Sequence, residues 1–470
     1  MKETVINFDV RKGSMKTQFV NKSETESSTS RIISYFNSLT FDESWTFEGY
    51  TQKDTTYITH GYHRYPAKFI PQLANRLIRE LSSSGDLVVD PFMGSGTALV
   101  EAKVLGRPSV GVDINPVAAL IAKAKVTAIE PSVLDSYFTD LVRKLRNFKD
   151  KESSKREPAL FTLIQEKPAP EGPAHKRIDY WFTPQSKEEL GVIYSEIKKI
   201  DNEDVRTFLL CGFSHILKNC SIWLMKSTKP TRDFKKIIPN AYDTFIRRAK
   251  IMVHKNTDFW QLLKANSTLE IPSIPLCEDA RTVPAEDNSV TLVVTSPPYV
   301  TSYEYADLHQ LTALWFEYAH EVAEFRKIFI GSAHNGKEQI LIDSEIGEEA
   351  VTNLRENKTG KDAEVATYFS EMRECFKEMH RYLKLGGKAC IVIGNTAFKK
   401  IDVPNAQVFA EQMENLGFRI HKVIKRLIPS KILPQTRDPL TGRFTASSNH
   451  NKTLAYPYEY ILIMEKTERT

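Results

Sequence analysis

A chain of 470 residues has room for two domains, or for one core domain with a large insertion. Hydrophobic residues make up 41% of the chain, which suffices for a sizeable core, yet no apolar run approaches the roughly 18 residues of a membrane span. The N-terminus lacks the apolar centre of a signal peptide, so we expect a soluble, intracellular protein. Five scattered cysteines argue against a disulfide framework or a structural zinc site, and a net charge of +5 permits a nucleic-acid partner without requiring one.

The chain begins with a polar region, residues 1–45, that is rich in Ser, Thr, Lys and Glu and shows no sustained period. This composition predicts a mobile arm that leads into a short helix over Ser30–Leu39. The segment His60–Pro71 (HGYHRYPAKFIP) contains two prolines, which exclude a long helix and predict an ordered turn before a helix over Gln72–Leu81. Its pattern alone leaves a packed entry loop and a functional segment equally open.

The stretch from Leu87 to Pro116 (LVVDPFMGSGTALVEAKVLGRPSVGVDINP) predicts the first strand–helix–strand unit of a parallel sheet. The apolar run Leu87–Val89 predicts a buried strand, and Gly94–Thr97 opens an amphipathic helix. A second apolar run, Val110–Val112, then ends on the carboxylate of Asp113.

This turn has the chemistry of a nucleoside site. Glycine lets the backbone approach a ligand closely, and the helix behind it offers free N–H groups. An acid about 20 residues further on is placed to bind a ribose hydroxyl. A tight turn without a ligand is the alternative. The turn has only two glycines, which argues against a dinucleotide pyrophosphate and suits a cofactor that contains adenosine but no phosphate, namely S-adenosylmethionine.

Residues 90–97 (DPFMGSGT) closely resemble the first cofactor motif of the amino-group DNA methyltransferases. The resemblance implies S-adenosylmethionine as cofactor and an α/β fold: a Rossmann-like, seven-stranded, mostly parallel sheet with an antiparallel hairpin at one edge and a largely helical insertion. The segment His63–Phe69 is similar to one that closes over the methionine end of the cofactor in many N4-cytosine methyltransferases, and Asp279 corresponds to a residue that contacts the adenine amine. The resemblance implies these cofactor-binding residues: His63, Tyr65, Pro66, Ala67, Lys68, Phe69, Asp90, Pro91, Phe92, Gly94, Ser95, Gly96, Thr97, Asp113, Ile114, Asn115, Asp279 and Ala280.

After a helix over Val117–Lys125, residues 131–275 are predicted to form a helical, polar insertion. The candidate helices are Ser132–Phe148, Lys187–Lys199, Asp204–Asn219, Ala241–His254 and Trp260–Ala265. Between Lys218 and Lys255, ten basic residues face only two acidic ones. The interleaved aromatic residues are Trp223, Phe234, Tyr242 and Phe245. Such cations can neutralise phosphates and such rings can stack on bases, which favours a DNA-binding, target-recognition region; a solvated helix face with core aromatics is the alternative.

A second motif follows the predicted strand Val290–Val294, where the chain reads TSPPY. Two consecutive prolines make the exit from the strand rigid, at the edge where an open α/β sheet binds its ligand. An exocyclic amine must be drawn towards tetrahedral geometry before it attacks a methyl group. The Ser296 side chain and the Pro297 carbonyl are candidate acceptors for its hydrogens, and Tyr299 is placed to stack on a flipped base.

The catalytic residues are therefore predicted to be Ser296, Pro297, Pro298 and Tyr299. SPPY resembles the catalytic motif of the amino-group methyltransferases, and its serine resembles the N4-cytosine branch, since the N6-adenine branch more often begins with Asp or Asn.

The remaining chain alternates between helices and strands. A helix with an aromatic and apolar stripe is predicted over Tyr303–Tyr318, and residues 331–365 are predicted to be a surface excursion. The predicted elements that follow are helix Val365–Leu383, strand Lys388–Gly394, helix Ala406–Leu416 and strands Ile420–Ile428 and Tyr460–Glu465. A basic, proline-rich segment between the last two strands is a further candidate for DNA contact.

These features predict a DNA methyltransferase that modifies the N4 amine of cytosine in double-stranded DNA by base flipping, in restriction-modification or host DNA marking. Such a protein would act in a prokaryotic cytoplasm, at the nucleoid, and a cognate restriction endonuclease is a candidate partner. The predicted organisation is an arm (1–45), two halves of the methyltransferase domain (46–130 and 276–470) and the insertion (131–275). An N6-adenine enzyme, an RNA guanine-N2 enzyme and a catalytically silent DNA-binding subunit are the alternatives.

Overall fold

The structure is a computed structural model that describes residues 5–9, 14–18, 27–65, 68–155, 172–227, 230–300, 305–330, 340–428, 436–437, 453–454 and 457–468. Its strands are β1 (Val5–Asp9), β2 (Ser14–Gln18), β3 (Val88–Asp90), β4 (Ser109–Val112), β5 (Ser273–Leu276), β6 (Val290–Thr295), β7 (Leu383–Ile393), β8 (Thr396–Phe398), β9 (Ile401–Val403), β10 (Phe418–Leu427), β11 (Thr436–Arg437), β12 (Thr453–Leu454) and β13 (Tyr458–Lys466).

The helices are α1 (Ser28–Ser38), α2 (Gln52–Thr55), α3 (Pro71–Leu81), α4 (Thr97–Val104), α5 (Pro116–Val126), α6 (Pro131–Lys155), α7 (Lys176–Trp181), α8 (Pro184–Lys198), α9 (Glu203–Leu217), α10 (Ala241–Ala265), α11 (Tyr305–Trp315), α12 (Val322–Lys327), α13 (Glu345–Glu356), α14 (Asp362–Tyr382) and α15 (Asn405–Asn415). Among the described residues, no helix combines the length and the apolar character that crossing a membrane requires.

Seven strands form the central sheet in the order β10-β13-β7-β6-β3-β4-β5. The pairs β7–β6, β6–β3, β3–β4 and β4–β5 are parallel, whereas β13 runs antiparallel to both of its neighbours. The predicted α/β fold with an antiparallel edge hairpin is therefore confirmed. In β6, Val293 faces one core and Leu292 and Val294 face the other, as expected for a sheet that is covered on both faces.

Three hydrophobic cores organise the molecule. Helices α1, α13, α14 and α15 cover one face of the sheet, and α3, α4 and the end of α10 cover the other. The third core lies between the helices of the insertion, and it also takes in Tyr62, α5 and α11. The helical insertion is thus packed onto elements from both sides of it in the sequence.

The helix α10 replaces the two helices predicted over Ala241–His254 and Trp260–Ala265. Its first half belongs to the core of the insertion, whereas Phe259 and Leu263 pack on the sheet. Asn256 interrupts the apolar pattern because its buried amide bonds the backbone N–H and carbonyl of Ile129 at 3.1 and 2.7 Å.

The prediction of a surface excursion over residues 331–365 is wrong for its described part. There the chain forms α13, whose Ile346, Val351 and Leu354 are buried in the core of the sheet. The Glu411 carboxylate accepts hydrogen bonds from the Ser344 hydroxyl and from the Ile346 N–H at the start of this helix. A polar composition concealed this helix because only one of its faces is buried.

Candidate active site

A cleft opens at the carboxyl ends of β3, β4 and β6, where an open parallel sheet binds its ligands. It encloses about 810 Å³ of empty space, part of it open to solvent. The predicted site residues that line it are Tyr65, Lys68, Phe69, Asp90, Pro91, Phe92, Gly94, Ser95, Thr97, Asp113, Ile114, Asp279, Ala280, Ser296 and Pro298. The cleft is also lined by four residues that the sequence analysis missed, Met93, Ile328, Phe329 and Ile330.

Other predicted residues lie behind or beside the lining. These are His63, Gly96, Asn115, Pro297 and Tyr299, while Pro66 and Ala67 lie outside the described residues. The three apolar residues at 328–330 follow the short helix α12 and belong to no motif. Their only signal in the sequence is an apolar run, which core packing explains equally well.

The two sequence motifs meet directly at the sheet. The hydroxyl of Thr295, at the end of β6, donates a hydrogen bond to Asp90 Oδ1 at 2.6 Å. The same oxygen accepts the Phe92 N–H at 3.1 Å, which shapes the turn after β3. Burial raises the pKa of Asp90 to about 7, although these two hydrogen bonds oppose the shift. Asp90 therefore connects the glycine turn to the strand that carries SPPY.

The Asp113 carboxylate fixes the other side of the turn. Its oxygens accept the N–H groups of Gly94 at 3.0 Å and Asn115 at 2.9 Å. Burial raises the pKa of Asp113 to about 6. Because each oxygen can accept a second hydrogen bond, the carboxylate can still bind hydroxyl groups of a ligand in the cleft.

Asn115 supports this turn from behind the lining. Its side-chain oxygen caps α5 by accepting the Val117 N–H at 3.0 Å. Its amide nitrogen donates to His309 Nδ1 at 2.7 Å, and His309 packs against the ring of Tyr65 with ring centroids 5.1 Å apart. Tyr65 in turn approaches Gly94 so closely that a Cβ at this glycine would lie 3.0 Å from its ring. The glycine is required both for its positive φ of 48° and for this contact.

The cleft also contains buried polar side chains that could bind a ligand. Among the described residues, neither Ser95 Oγ nor Thr97 Oγ1 makes a hydrogen bond, and both atoms are buried. Lys68 donates to the carbonyl of His60 at 3.1 Å, and burial lowers the pKa of its ammonium to about 8. Buried polar groups without a partner are costly, so a ligand with charged and hydrogen-bonding groups fits this part of the cleft. An adenosine joined to an amino acid has such groups.

A buried network of hydrogen bonds fixes the segment of chain that precedes Lys68. The Glu101 carboxylate, in α4, accepts hydrogen bonds from Tyr57 at 2.5 Å, His60 at 2.6 Å and Asn75 at 2.7 Å. Burial lowers the pKa of His60 to about 4, so this histidine is a neutral donor near pH 7. The sequence analysis missed Glu101, because a charged residue in an amphipathic pattern is expected at the surface.

Asp279 reaches the cleft after β5, and its carboxylate is held by Arg281. Its Oδ1 accepts both the backbone N–H and the Nε of Arg281 at 2.9 Å, and its Oδ2 accepts from the guanidinium. The same guanidinium lies 3.5 Å from Glu371. Arg281 therefore fixes the carboxylate that the resemblance assigns to the adenine amine.

Three hydrogen bonds fix the SPPY corner. The Ser296 hydroxyl donates to the Val392 carbonyl at 3.0 Å, and the Pro298 carbonyl accepts from the Tyr368 hydroxyl at 2.8 Å. The Tyr299 hydroxyl lies 3.2 Å from a carboxylate oxygen of Glu459. The rigid corner expected from the two prolines is thus anchored to β7, α14 and β13.

His63 lies against the insertion, outside the lining of the cleft. Its Nδ1 bonds the Arg64 carbonyl at 2.8 Å and its Nε2 bonds the Ser214 hydroxyl at 3.0 Å. Because a carbonyl only accepts, Nδ1 carries the proton and Nε2 accepts from Ser214. Burial lowers the pKa of His63 to about 3, so it remains neutral and connects the segment to α9.

Part of the basic run of the insertion is used inside the protein, whereas Lys226, Lys235, Arg247 and Lys250 are exposed. The Lys236 ammonium donates to the carbonyls of Lys218, Ser221 and Trp223 at 2.8, 2.6 and 3.0 Å. The guanidinium of Arg248 donates to the backbone carbonyls of Gly61 and Tyr62. These cations therefore stabilise loops.

The prediction that the aromatic residues of this run stack on bases is wrong for Trp223, Tyr242 and Phe245, which are buried in the core of the insertion. Trp223 stacks on Trp181 with ring centroids 4.9 Å apart. Phe234 is the exception, since 75% of its surface is exposed.

The fold and the cleft define a nucleoside-binding α/β protein whose SPPY corner faces its ligand site. A family profile described as DNA methylase, of the N6/N4 methyltransferases, matches residues 6–124 and 290–470. The chain belongs to this family. It is therefore an amino-group DNA methyltransferase, with S-adenosylmethionine as its cofactor and DNA as its substrate.

Two relatives that match most of the chain in sequence agree with this membership. The chain is 28% identical over 442 residues to the type II methyltransferase M.MvaI of Kocuria varians, covering 89% of this chain and 93% of that protein. It is 22% identical over 465 residues to the type II methyltransferase M.BsoBI of Geobacillus stearothermophilus, covering 85% and 83%. The solved structure of a DNA modification methylase from Thermus thermophilus, complexed with S-adenosyl-L-methionine, is 19% identical and overlaps 41% of this chain and 52% of its own with a TM-score of 0.21.

Proposed function

We propose that the chain methylates the exocyclic N4 amine of cytosine in double-stranded DNA, after the base has been flipped out of the duplex. The observation that carries this proposal is Ser296 at the end of β6, in the cleft that contains the glycine turn. The serine form of the motif resembles the N4-cytosine branch of the family.

The hydrogen bond of Ser296 prepares it as an acceptor. Since its hydroxyl proton is donated to the Val392 carbonyl, its lone pairs are left to accept an amino hydrogen of the target base. The Pro297 carbonyl is the second acceptor in this proposal. Together the two acceptors would draw the amine out of conjugation with the ring, so that its lone pair can attack.

The remaining site residues bind and orient. S-adenosylmethionine, when bound, supplies an electrophilic methyl group. Asp113 would accept the ribose hydroxyls, and Asp279, held by Arg281, would accept the adenine amine. Lys68, Ser95 and Thr97 would bind the amino-acid end. Alignment of amine and methyl would provide most of the rate enhancement, and the methylated amine is acidic enough to lose its proton without a strong base.

The insertion is proposed to contact the duplex through its loop at 230–239. Phe234 and Ile237 project from this loop, with 75% and 93% of their surface exposed, and the neighbouring Lys235 is exposed as well. Burial, with the nearby guanidinium of Arg64 as a lesser cause, lowers the pKa of Lys236 to about 8. His63 bonds Ser214 of α9, the helix that precedes this loop in the chain, and Tyr65, two residues after His63, lines the cleft.

The experiment that tests this proposal identifies the methylated base. Unmodified double-stranded DNA is incubated with the protein and methyl-labelled S-adenosylmethionine, and is then digested to nucleosides for mass spectrometry. We expect the label in N4-methylcytosine, and about a hundredfold less or lower still in a Ser296→Ala control. Label only in N6-methyladenine would overturn the cytosine assignment. In a parallel reaction with RNA in place of DNA, label in guanine of the RNA, with none in the DNA reaction, would overturn the choice of DNA.

The chain is further proposed to act as the modification enzyme of a restriction-modification system, because the relatives that match most of its length are type II methyltransferases. Sequencing of methylated DNA from a host that expresses the chain would give the recognition site. The proposal requires a single defined sequence context, whereas methylation without sequence preference would contradict it.

A further inference from the structure

The hydroxyl of Tyr299, which follows β6, reaches a carboxylate two strands away in the sheet. Glu459 belongs to β13, which lies next to β7 in the sheet. The pairing of Tyr460 with Ile393 places Glu459 opposite Gly394, the residue that follows β7. The ring of Tyr299 lies on this glycine, where a Cβ would stand 3.1 Å from the ring. The ring therefore crosses the end of β7, and its hydroxyl ends 3.2 Å from Glu459 Oε2.

The same carboxylate is paired with an arginine on the edge hairpin. Arg426 in β10 is the cross-strand partner of Glu459, and its Nε lies 3.5 Å from Glu459 Oε1. Both side chains are largely buried, with 5% and 12% of their surface exposed. Among the described residues, neither Nε nor Nη1 of Arg426 makes a hydrogen bond. The guanidinium of Arg426 also lies over the ring of Phe47, 5.6 Å from its centroid, and Glu459 is its anionic partner among the residues that the structure describes. The second oxygen of this carboxylate, Oε2, faces Tyr299.

Buried charges are expensive unless they are paired and hydrogen-bonded. A pair whose arginine is left with unused donors is a poor device for stability, since a hydrophobic pair of similar volume is often as stable or more stable. The geometry of the Arg426–Glu459 pair is instead suited to orienting a third group, the Tyr299 hydroxyl. Oε1 of the carboxylate faces Arg426, which leaves Oε2 to accept from the Tyr299 hydroxyl.

We propose that Glu459 is a positioning residue of methyl transfer: held by Arg426, it anchors the hydroxyl of Tyr299 and keeps the ring over Gly394. This inference rests on the proposed stacking of Tyr299 on the flipped base. An anchored ring gives the base a fixed surface, whereas a free ring must be ordered each time a base enters. No motif in the sequence contains Glu459 or Arg426, which reach the site through the register of the hairpin.

The test is a double-mutant cycle with Tyr299→Phe, Glu459→Met and the two combined. Initial rates of label transfer to unmodified DNA give kcat and KM, and calorimetry gives the dissociation constant of S-adenosylmethionine. Each single variant should lower kcat/KM about tenfold, the worth of a hydrogen bond to a charged group. The double variant should also lose about tenfold, because the two residues act through one interaction. Cofactor affinity should change less than about twofold, as neither residue lines the cleft.

Glu465 provides a matched control, since it is a carboxylate on the same strand that pairs with Arg419 of β10 at 2.8 Å. Glu465→Met should leave kcat/KM within about twofold of the unmodified protein, because Glu465 lies at the opposite end of β13 and pairs with Arg419, Lys388 and His421 rather than with Tyr299. Glu459→Gln keeps an acceptor for the tyrosine and should restore activity to within about threefold. If Glu459→Met does not fold, the variant in which Arg426 and Glu459 are both replaced by Met removes the two charges together, and the same tenfold loss is expected.

Two results would overturn the inference. One is a kcat/KM of the double variant that falls by the product of the two single losses, about a hundredfold. This result would mean that the carboxylate of Glu459 acts independently of the Tyr299 hydroxyl, as a merely structural group would. The other is full activity of Glu459→Met. The cycle uses total label transfer, so it can be measured whether the labelled base is cytosine or adenine. An adenine product would refute the N4 assignment while the cycle still decides the role of Glu459.

Discussion

The carboxylate of Glu101 is buried beside the cofactor cleft, and we expect the folding stability of the protein to depend strongly on it. Glu101→Ala leaves the donors of Tyr57, His60 and Asn75 without their acceptor. A buried donor that loses its partner costs about 1–3 kcal/mol. Because Tyr57 and Asn75 are only partly buried, water can reach them, and we expect a total of about 3–6 kcal/mol.

Urea unfolding followed by tryptophan fluorescence measures this loss. Glu80→Ala is the control, since it removes a half-exposed carboxylate that pairs with Arg76 at 2.7 Å. That variant should change the unfolding free energy by less than about 1 kcal/mol. Glu101→Gln keeps one acceptor oxygen and should fall between the two. A loss from Glu101→Ala no larger than that from Glu80→Ala would refute the role assigned to this network.

Further predictions concern the turn and the helix behind it. Asp113→Ala should weaken binding of S-adenosylmethionine about tenfold or more by calorimetry, because charged hydrogen bonds are lost, and unchanged affinity would contradict the ribose assignment. Gly96→Ala should destabilise by about 2–4 kcal/mol, since its φ is 74° and a Cβ would lie 2.9 Å from that of Ala122. Gly360→Ala, at φ 72° in open space, should cost only about 1 kcal/mol, and equal losses would refute the packing argument. Lys125→Met should stabilise by about 1–3 kcal/mol at pH 7, because the ammonium is buried without a partner among the described residues.

The pH dependence of unfolding provides an independent check on the predicted gain in stability of the Lys125→Met variant. Burial lowers the pKa of Lys125 well below that of an unfolded lysine. The folded state therefore binds this proton less readily than the unfolded state, and the penalty grows as the pH falls below the unfolded pKa of about 10.4. The gain from the substitution should shrink when unfolding is measured at rising pH and vanish above about pH 10.5. A gain that does not depend on pH would indicate a packing effect.

The elements predicted correctly are those whose physical requirements lie within a few adjacent residues. The glycine turn at 94–96 and the two prolines at 297–298 each specify a local backbone conformation, and both lie at strand ends as expected. Apolar runs likewise identified six of the seven strands of the central sheet, whereas β5 (Ser273–Leu276) was not predicted and falls mostly within the range assigned to the insertion. These signals predict the fold class and most of the cleft lining.

The parts that were missed depend on tertiary register. Glu101 is charged yet buried, because its donors come from residues 57–75. Glu459 meets Tyr299 only because β13 pairs with β7 at one particular register. The basic run of the insertion shows the opposite case. Its composition suggested cations that face solvent, but the Lys236 ammonium donates to backbone carbonyls near its own loop. Composition indicates which charges are present, but it does not indicate which of them reach solvent.

We propose that the cofactor turn and the Ser296 corner form one reaction centre. Single-turnover transfer of label to DNA by Ser296→Ala, with the affinity for S-adenosylmethionine measured on the same preparation, tests it most directly. The claim predicts that the transfer rate falls about a hundredfold or more, the usual loss when a preorganised hydrogen-bonding group is removed from a reaction centre, while cofactor affinity stays within about twofold. A transfer rate within about threefold of the unmodified protein, or a loss explained entirely by weaker cofactor binding, would contradict it.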